Sequence, residues 1–261
     1  MTRSVGVVIP AYHPDVARLD AYVTAIEETV APDVIRVELD AADAETRRGV
    51  RALPVEVNEA TTRRGKGAAI TAGFEALDTD VLAFADADGS TPASSLADVI
   101  DPVASGSADL AAGSRRHPDA TVRSHQTVVR RHLGDGFAWL ARRFLDVHLH
   151  DYQCGAKAVS ADAWRRIRAH LHEPGFAWDI ELVAVAAAVD CRIVEVPVVW
   201  EDRPDSTVSP VGTTLRLARG LVVSRHRAKL LRNDPLHTVL DRSRQSSPAL
   251  VDRLGAEATD E

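Results

Sequence analysis

Asp86 and Asp88 stand one residue apart in the stretch Val81-Leu82-Ala83-Phe84-Ala85-Asp86-Ala87-Asp88-Gly89-Ser90-Thr91-Pro92. Two carboxylates this close repel each other unless a cation joins them. A hard divalent ion with oxygen ligands, itself holding a diphosphate, would do so. Val81 to Ala85 is a short apolar run, which predicts a strand covered on both faces. Ser90-Thr91-Pro92 then reads as a helix start, with a hydroxyl cap and proline at the first helical position. The pair would therefore lie at the carboxyl end of a strand, where open α/β sheets bind ligands. The same spacing also occurs in solvated turns, so the rest of the chain has to decide between the two.

Other groups point the same way. Arg63-Arg64-Gly65-Lys66-Gly67 opens a predicted helix. Its glycines allow close backbone approach, and the helix N-terminus and the cations favour an anion. The P-loop spacing is missing, and an ordinary basic loop is the alternative. Lysine occurs only at Lys66, Lys157 and Lys229, and the first two fall in glycine-flanked polar turns. Arg115, Arg123, Arg130 and Arg131 precede or enter one predicted helix; arginine suits bidentate phosphate binding, and a solvated face is the other reading. Asp179 and Glu181 lie at a helix start, where the helix dipole alone favours acids. Asp179 is also a candidate general base or acceptor-site carboxylate. Trp200, at a strand end, could stack on a ligand or pack in the core. The histidines show no zinc spacing, and neither a G-x-S-x-G elbow nor a Cys/His nucleophile pattern occurs.

The elements that must position these residues alternate. Strands are predicted over 4–11, 34–39, 54–57, 81–85, 108–113 and 192–200. Helices are predicted after Pro14, over 44–53, 68–77, 92–104, 124–145, 161–170 and 178–189, and a polar turn spans His150 to Lys157. Strands alternating with helices predict a parallel, right-handed, doubly wound sheet.

The chain has 261 residues and a formal net charge of −7. No run approaches the ~20 apolar residues of a spanning helix, and Met1-Thr2-Arg3 does not begin a signal peptide. Cys154 and Cys191 form no metal spacing and read as free thiols in a reducing compartment. From Thr207 to Asn233 there is no acid; Arg216, Arg219, Arg225, Arg227, Lys229 and Arg232 take six of the 31 basic residues, so the remainder faces 38 acids with 25. An acidic body with one basic strip does not look like a general nucleic-acid binder, which should carry a dominant basic face. The strip fits an in-plane helix on an anionic membrane surface, or equally a surface helix packed on the domain. The expected organisation is a domain over 1–210, a basic amphipathic helix over 211–233 and a disordered tail over 234–261.

Taken in order, these motifs resemble a family 2 glycosyltransferase of the GT-A fold, closest to the polyprenyl- or dolichyl-phosphate hexose synthases. Val7-Val8-Ile9-Pro10-Ala11-Tyr12 resembles the opening nucleotide-binding strand, Arg64-Gly65-Lys66-Gly67-Ala68-Ala69 the R-G-K-G-x-A turn, and Asp86-Ala87-Asp88 the metal-binding D-x-D. Gly113-Ser114-Arg115 resembles G-S-R, and Asp151 to Lys157 resembles D-x-Q-C-G-x-K, with Gln153 at its third place. Phe176 to Glu181 resembles F-x-x-D-x-E, and Glu195 to Trp200 resembles E-V-P-V-x-W, with Ser206 in the loop beyond. Two places depart from the pattern: His13-Pro14 stands where Asn-Glu is usual, and Leu39-Asp40-Ala41-Ala42-Asp43 where Asp-Asp-Gly-Ser is usual. The resemblance implies inverting transfer of a hexose from UDP-glucose or GDP-mannose to a polyprenyl phosphate at the cytoplasmic face of a membrane. It implies Mg2+ or Mn2+ on Asp86 and Asp88, and a donor held by Pro10, Tyr12, Asp40 and Lys66. Arg115, Arg130, Arg131 and Ser206 would bind the acceptor phosphate, with Asp88, Asp179 and Arg115 as the catalytic set. The departures motivate an alternative: a glycosyltransferase-like binding or scaffold protein without turnover.

Overall fold

The computed structural model describes residues 3–123, 136, 139–201, 210–241 and 248–257. Arg130, Arg131 and Ser206 lie outside them, as does most of the helix expected over 124–145; residues 139–144 are helical.

Strand β1 (Val5–Tyr12) pairs in parallel with β2 (Val34–Asp40) and with β4 (Val81–Ala85), and β2 pairs with β3 (Glu56–Ala60). On the other side, β5 (Leu110–Ser114) runs parallel to β8 (Ile193–Pro197). Between the halves lies β7 (Ala156–Ser160), antiparallel to both β4 and β5. The seven-stranded order is β3-β2-β1-β4-β7-β5-β8; β6 (Thr121–Arg123) and β9 (Val199–Glu201) make a separate two-stranded sheet. The central strands are buried on both faces, so alternate residues feed two cores. Val7, Ile9 and Ala83 pack under α1 (Val16–Thr29) and α4 (Ala93–Ala104). Val8 and Phe84 pack with Phe74 of α3 (Lys66–Ala76) and Trp178 of α6 (Trp178–Ala188) on the opposite face. Helix α1 begins at Asp15, whose carboxylate caps Arg18 N, and buries Leu19, Tyr22, Val23 and Ile26, one stripe at helical spacing. Two further helices are α2 (Ala44–Arg51) and α5 (Ala161–Ile167).

Four expectations need correction. The turn expected at His150–Lys157 ends in β7; Lys157 interrupts the apolar run, yet it is buried because its ammonium finds partners inside. The strand expected over 192–200 breaks at Val198, whose N–H turns to Ser114 O, so that β9 joins the small sheet. Helix α4 begins after Pro92 with no side-chain cap; Asp88 Oδ1 accepts from Ser90 N instead, at 2.8 Å. The tail expected to be disordered from 234 contains α8 (Pro235–Asp241) and α9 (Leu250–Glu257). Asp234 caps α8, and buried Leu250 donates its N–H to Leu171 O at 2.8 Å.

The basic strip forms α7 (Pro210–Leu231), which packs on α6. Leu217, Leu221, Ser224 and Ala228 are buried. Its cations are largely spent on the domain: Arg227 pairs with buried Glu181, Arg225 donates to Phe144 O, and Lys229 and Arg232 reach Asp146. This geometry is that of a packed surface helix. No helix among the described residues is long and apolar enough to cross a membrane. Arg227→Ala leaves the Glu181 carboxylate buried without a cation, which costs about 3 kcal/mol. Urea unfolding should show this loss with an unchanged slope; a loss under about 0.5 kcal/mol would mean that the backbone N–H groups of His172 and Glu173 suffice for Glu181.

Candidate active site

The carboxyl ends of β1, β2, β4 and β5 bring most of the singled-out residues to one edge of the sheet. Asp86 and Asp88 follow β4 directly. The Asp86 N–H donates to Gly155 O at 2.9 Å. A Cβ on Gly155 would lie 2.0 Å from Asp86 Oδ2, so only glycine lets this carboxylate take its place. The Asp86 side chain is 41% exposed, and Asp88 is exposed with Oδ2 left open.

Behind the pair lies a buried charge cluster. Lys66, at the first turn of α3, places Nζ 2.9 Å from Asp86 Oδ1 and 3.1 Å from Asp179 Oδ2. Lys157 Nζ sits 2.7 Å from Asp179 Oδ1 and donates to Cys154 O at 2.8 Å. Both ammoniums flank the Phe84 ring. Burial opposes the charge on Lys66, but Asp179 and Asp86 outweigh it and hold its pKa above the usual lysine value. Burial likewise opposes ionised Asp179, and Lys157 and Lys66 overcome it, so its pKa lies below the ordinary carboxylate value. Asp86 goes the other way: burial, aided by Asp88, raises it against the pull of Lys66. Asp179 is thus a shielded carboxylate whose ionised form Lys66 and Lys157 favour.

The R-G-K-G turn is fastened from two sides. Asp40 Oδ2 accepts from the backbone N–H of Arg64 (2.8 Å) and Gly65 (3.1 Å), and Oδ1 from Arg64 Nε (2.7 Å). Asp40, expected to help hold the nucleoside, is buried and fastens the turn with both of its oxygens. Gly65 has φ 100°, and a Cβ there would meet Pro174 O at 2.5 Å; one on Gly67 would meet Glu173 O at 2.6 Å. The loop before α6 therefore rests on the turn. Tyr12 is exposed at the end of β1, with the Arg63 guanidinium 4.0 Å above its ring and His13 edge-on. Pro10 lies within β1, opposite Glu38. The two departures from the family pattern include left-handed non-glycine residues, His13 (φ 49°) and Ala41 (φ 46°).

On the far side of β4, Arg115 forms a bidentate pair with buried Asp151, Nε–Oδ2 2.6 Å and Nη2–Oδ1 3.0 Å, and lies over Trp200. Asp151 Oδ1 also accepts from Gln153 N. Burial opposes ionised Asp151, but Arg115 holds its pKa well below the usual range. Glu195, unassigned from the sequence, accepts from the N–H groups of His150 and Asp151 at 2.7 and 2.8 Å and fixes this turn. Both Gly155 and Glu195 belong to motifs quoted from the sequence, but what each touches shows only in contacts between distant segments. Glu181 faces Arg227, on the side of α6 that α7 covers.

Among the described residues, no group of three or more His, Cys, Asp or Glu side chains gathers as a metal site. Asp86 and Asp88 offer carboxylate oxygens only, one residue apart at the open edge of the sheet. Two carboxylates, with the remaining positions left to phosphate and water, suit Mg2+ or Mn2+. The residues fit such an ion.

Comparison with known proteins agrees with this arrangement. The family model for glycosyl transferase family 2 matches residues 7–167. The chain belongs to that family. It is 33% identical over 220 residues to glycosyltransferase AglD of Haloferax volcanii, covering 79% of this chain and 34% of that protein. It is 31% identical over 175 residues to dolichyl-phosphate beta-glucosyltransferase of Saccharomyces cerevisiae (62% and 52%), and 33% identical over 168 residues to polyprenol monophosphomannose synthase of Mycolicibacterium smegmatis (63% and 63%). The chain spans between about a third and under two thirds of the length of these curated relatives. Among solved structures, glucosyl-3-phosphoglycerate synthase of Mycobacterium tuberculosis superposes with a TM-score of 0.63 over 85% of this chain and 80% of that one, at 18% identity. The family 2 chain thus has the mainly parallel GT-A architecture.

The depressed Asp151 pKa gives a signed prediction. The Arg115–Asp151 pair stabilises the fold fully above the ordinary carboxylate value of 3.8 and loses its contribution as pH falls through the lower folded value. The stability gap between the protein and Asp151→Asn, from urea midpoints, should be flat from about pH 8 to 5 and narrow below that. A gap that already narrowed between pH 7 and 5 would contradict the assignment.

Proposed function

We propose that this family 2 protein is an inverting hexosyltransferase that moves a sugar from a nucleotide sugar, UDP-glucose or GDP-mannose, to a polyprenyl or dolichyl phosphate. The observation that carries this reading is the Asp86–Asp88 pair, held open at the sheet edge and backed by the Lys66–Asp179–Lys157 cluster. The names of the relatives support the sugar and lipid classes, and the fold neighbour was solved with Mn2+ and UDP-glucose.

Asp88 and Asp86 would hold Mg2+ or Mn2+ on the donor diphosphate, where the cation neutralises charge on the leaving nucleoside diphosphate. Tyr12 and Arg63 offer a stacking face for the base. Lys66 and the turn fastened by Asp40 set the position of Asp86. Arg115, aimed by Asp151, would meet the acceptor phosphate, joined by Arg130, Arg131 and Ser206. A phosphate is already anionic at neutral pH, so the attacking oxygen needs no strong base, and Asp179 serves as a positioning residue. A lipid acceptor would bring the protein to the cytoplasmic face of a membrane.

A second reading, a binding or scaffold protein without turnover, draws on the departures at His13-Pro14 and Ala41-Ala42, beside an Asp40 engaged by the turn. One assay separates the two: labelled UDP-glucose and GDP-mannose offered separately with a short polyprenyl phosphate and Mg2+ or Mn2+. Organic-extractable label from one donor, falling about 100-fold or more in Asp88→Asn, is the expected result. Retained nucleotide-sugar binding with no transfer from either donor would favour the second reading.

A further inference from the structure

We propose that Lys66 is a resident counter-cation of Asp86, so that the free protein holds a divalent ion weakly and takes it up together with a nucleoside diphosphate. This deepens the reading of the site as a metal-dependent nucleotide-sugar site and rests on it. Lys66 Nζ lies 2.9 Å from Asp86 Oδ1, within the first neighbours of the carboxylate that would ligate the ion. It cannot simply retreat. Its other side is held by Asp179 at 3.1 Å, and the side chain is only 11% exposed. Asp86 has little room to turn away, because its Oδ2 rests against Gly155.

The charges around Asp86 are already matched without an ion. Lys66 and Lys157 balance Asp86 and Asp179, leaving Asp88 as the uncompensated acid. A divalent cation arriving alone would gain Asp88 but would meet the Lys66 ammonium across Asp86, and like charges at this separation repel strongly in a partly buried site. A nucleoside diphosphate changes the balance, because its oxygens accept from Lys66 and ligate the cation at once. The two ligands are then positively coupled, and the coupling is reciprocal. The same ammonium that weakens lone metal binding would strengthen joint binding, which gives Lys66 a different signature from a residue that merely supports the fold.

The test is titration of Mn2+ into the full chain, reading free Mn2+ by electron paramagnetic resonance, with and without UDP or GDP. The wild-type protein should bind Mn2+ at least tenfold more tightly with one of these nucleotides than without. Lys66→Met should bind Mn2+ alone at least tenfold more tightly than wild type, and the nucleotide should add less to that affinity. Lys66→Gln, whose amide can still hydrogen-bond Asp179, should behave in the same way and covers the case in which the methionine variant fails to fold. Lys66→Arg should remain weak for Mn2+ alone, and adding Asp88→Asn to Lys66→Met should abolish the gained affinity. If neither uncharged variant gains affinity while the wild type still takes up Mn2+ with nucleotide, the inference is overturned and the metal-dependent reading stands. If the wild type takes up no Mn2+ with either nucleotide, both fall together.

Discussion

A carboxylate removed from water must be given cations or lose its charge, and Asp179 is such a carboxylate, 2% exposed in the middle of the molecule. The structure supplies it with two lysines from two segments that meet nowhere else in sequence. Lys157 comes from β7, the one central strand that runs against its neighbours, and Lys66 from the start of α3. Holding both fixes where the two halves of the sheet join and where the R-G-K-G turn stands. From there the chain of contacts reaches the surface: Lys66 touches Asp86, Gly155 admits Asp86, and Asp86 and Asp88 share the open edge.

The same economy of charge runs through the rest of the molecule. Asp151 is buried with Arg115, Glu38 with Arg36 and Arg64, and Glu181 with Arg227. Arg36 and Glu38 are neighbours along β2, whereas the Arg115–Asp151, Arg64–Glu38 and Arg227–Glu181 pairs join segments distant in sequence and each fixes a turn or helix near the site. The Glu181 pair extends this to α7, which packs on α6. The loop before α6 leans on Gly65 and Gly67, and α9 in turn holds that loop through Leu171 and His172. A site at the sheet edge thus depends on packing that reaches residue 253.

What could be read from the sequence follows from how local its causes are. The Asp86–Asp88 spacing after an apolar strand and the glycine turn opening α3 are local patterns, and both lie where they were expected. Strand β7 was not legible because Lys157 makes its five residues look polar; only Asp179, 22 residues later, explains the burial. The part Asp40 plays in the turn was hidden for a similar reason: a sequence displays a carboxylate but not the three donors it accepts from. The basic strip could be read equally as a membrane-surface or a packed helix because its partners Glu181 and Asp146 lie 46 and 83 residues away. The ordered segment around Ala249 and Leu250 depends on a docking place beside Leu171 that no local composition announces.

The measurement that tests this account most directly is the pH dependence of sugar transfer in the protein and in Asp179→Asn, each corrected for folded fraction. If Asp179 is an anchor for Lys66 and Lys157, the variant should be slower with the same profile shape, because no ionisation of Asp179 limits the rate. If Asp179 takes a proton from the acceptor, the acid limb of the wild-type profile should vanish in the variant. That loss would contradict the account.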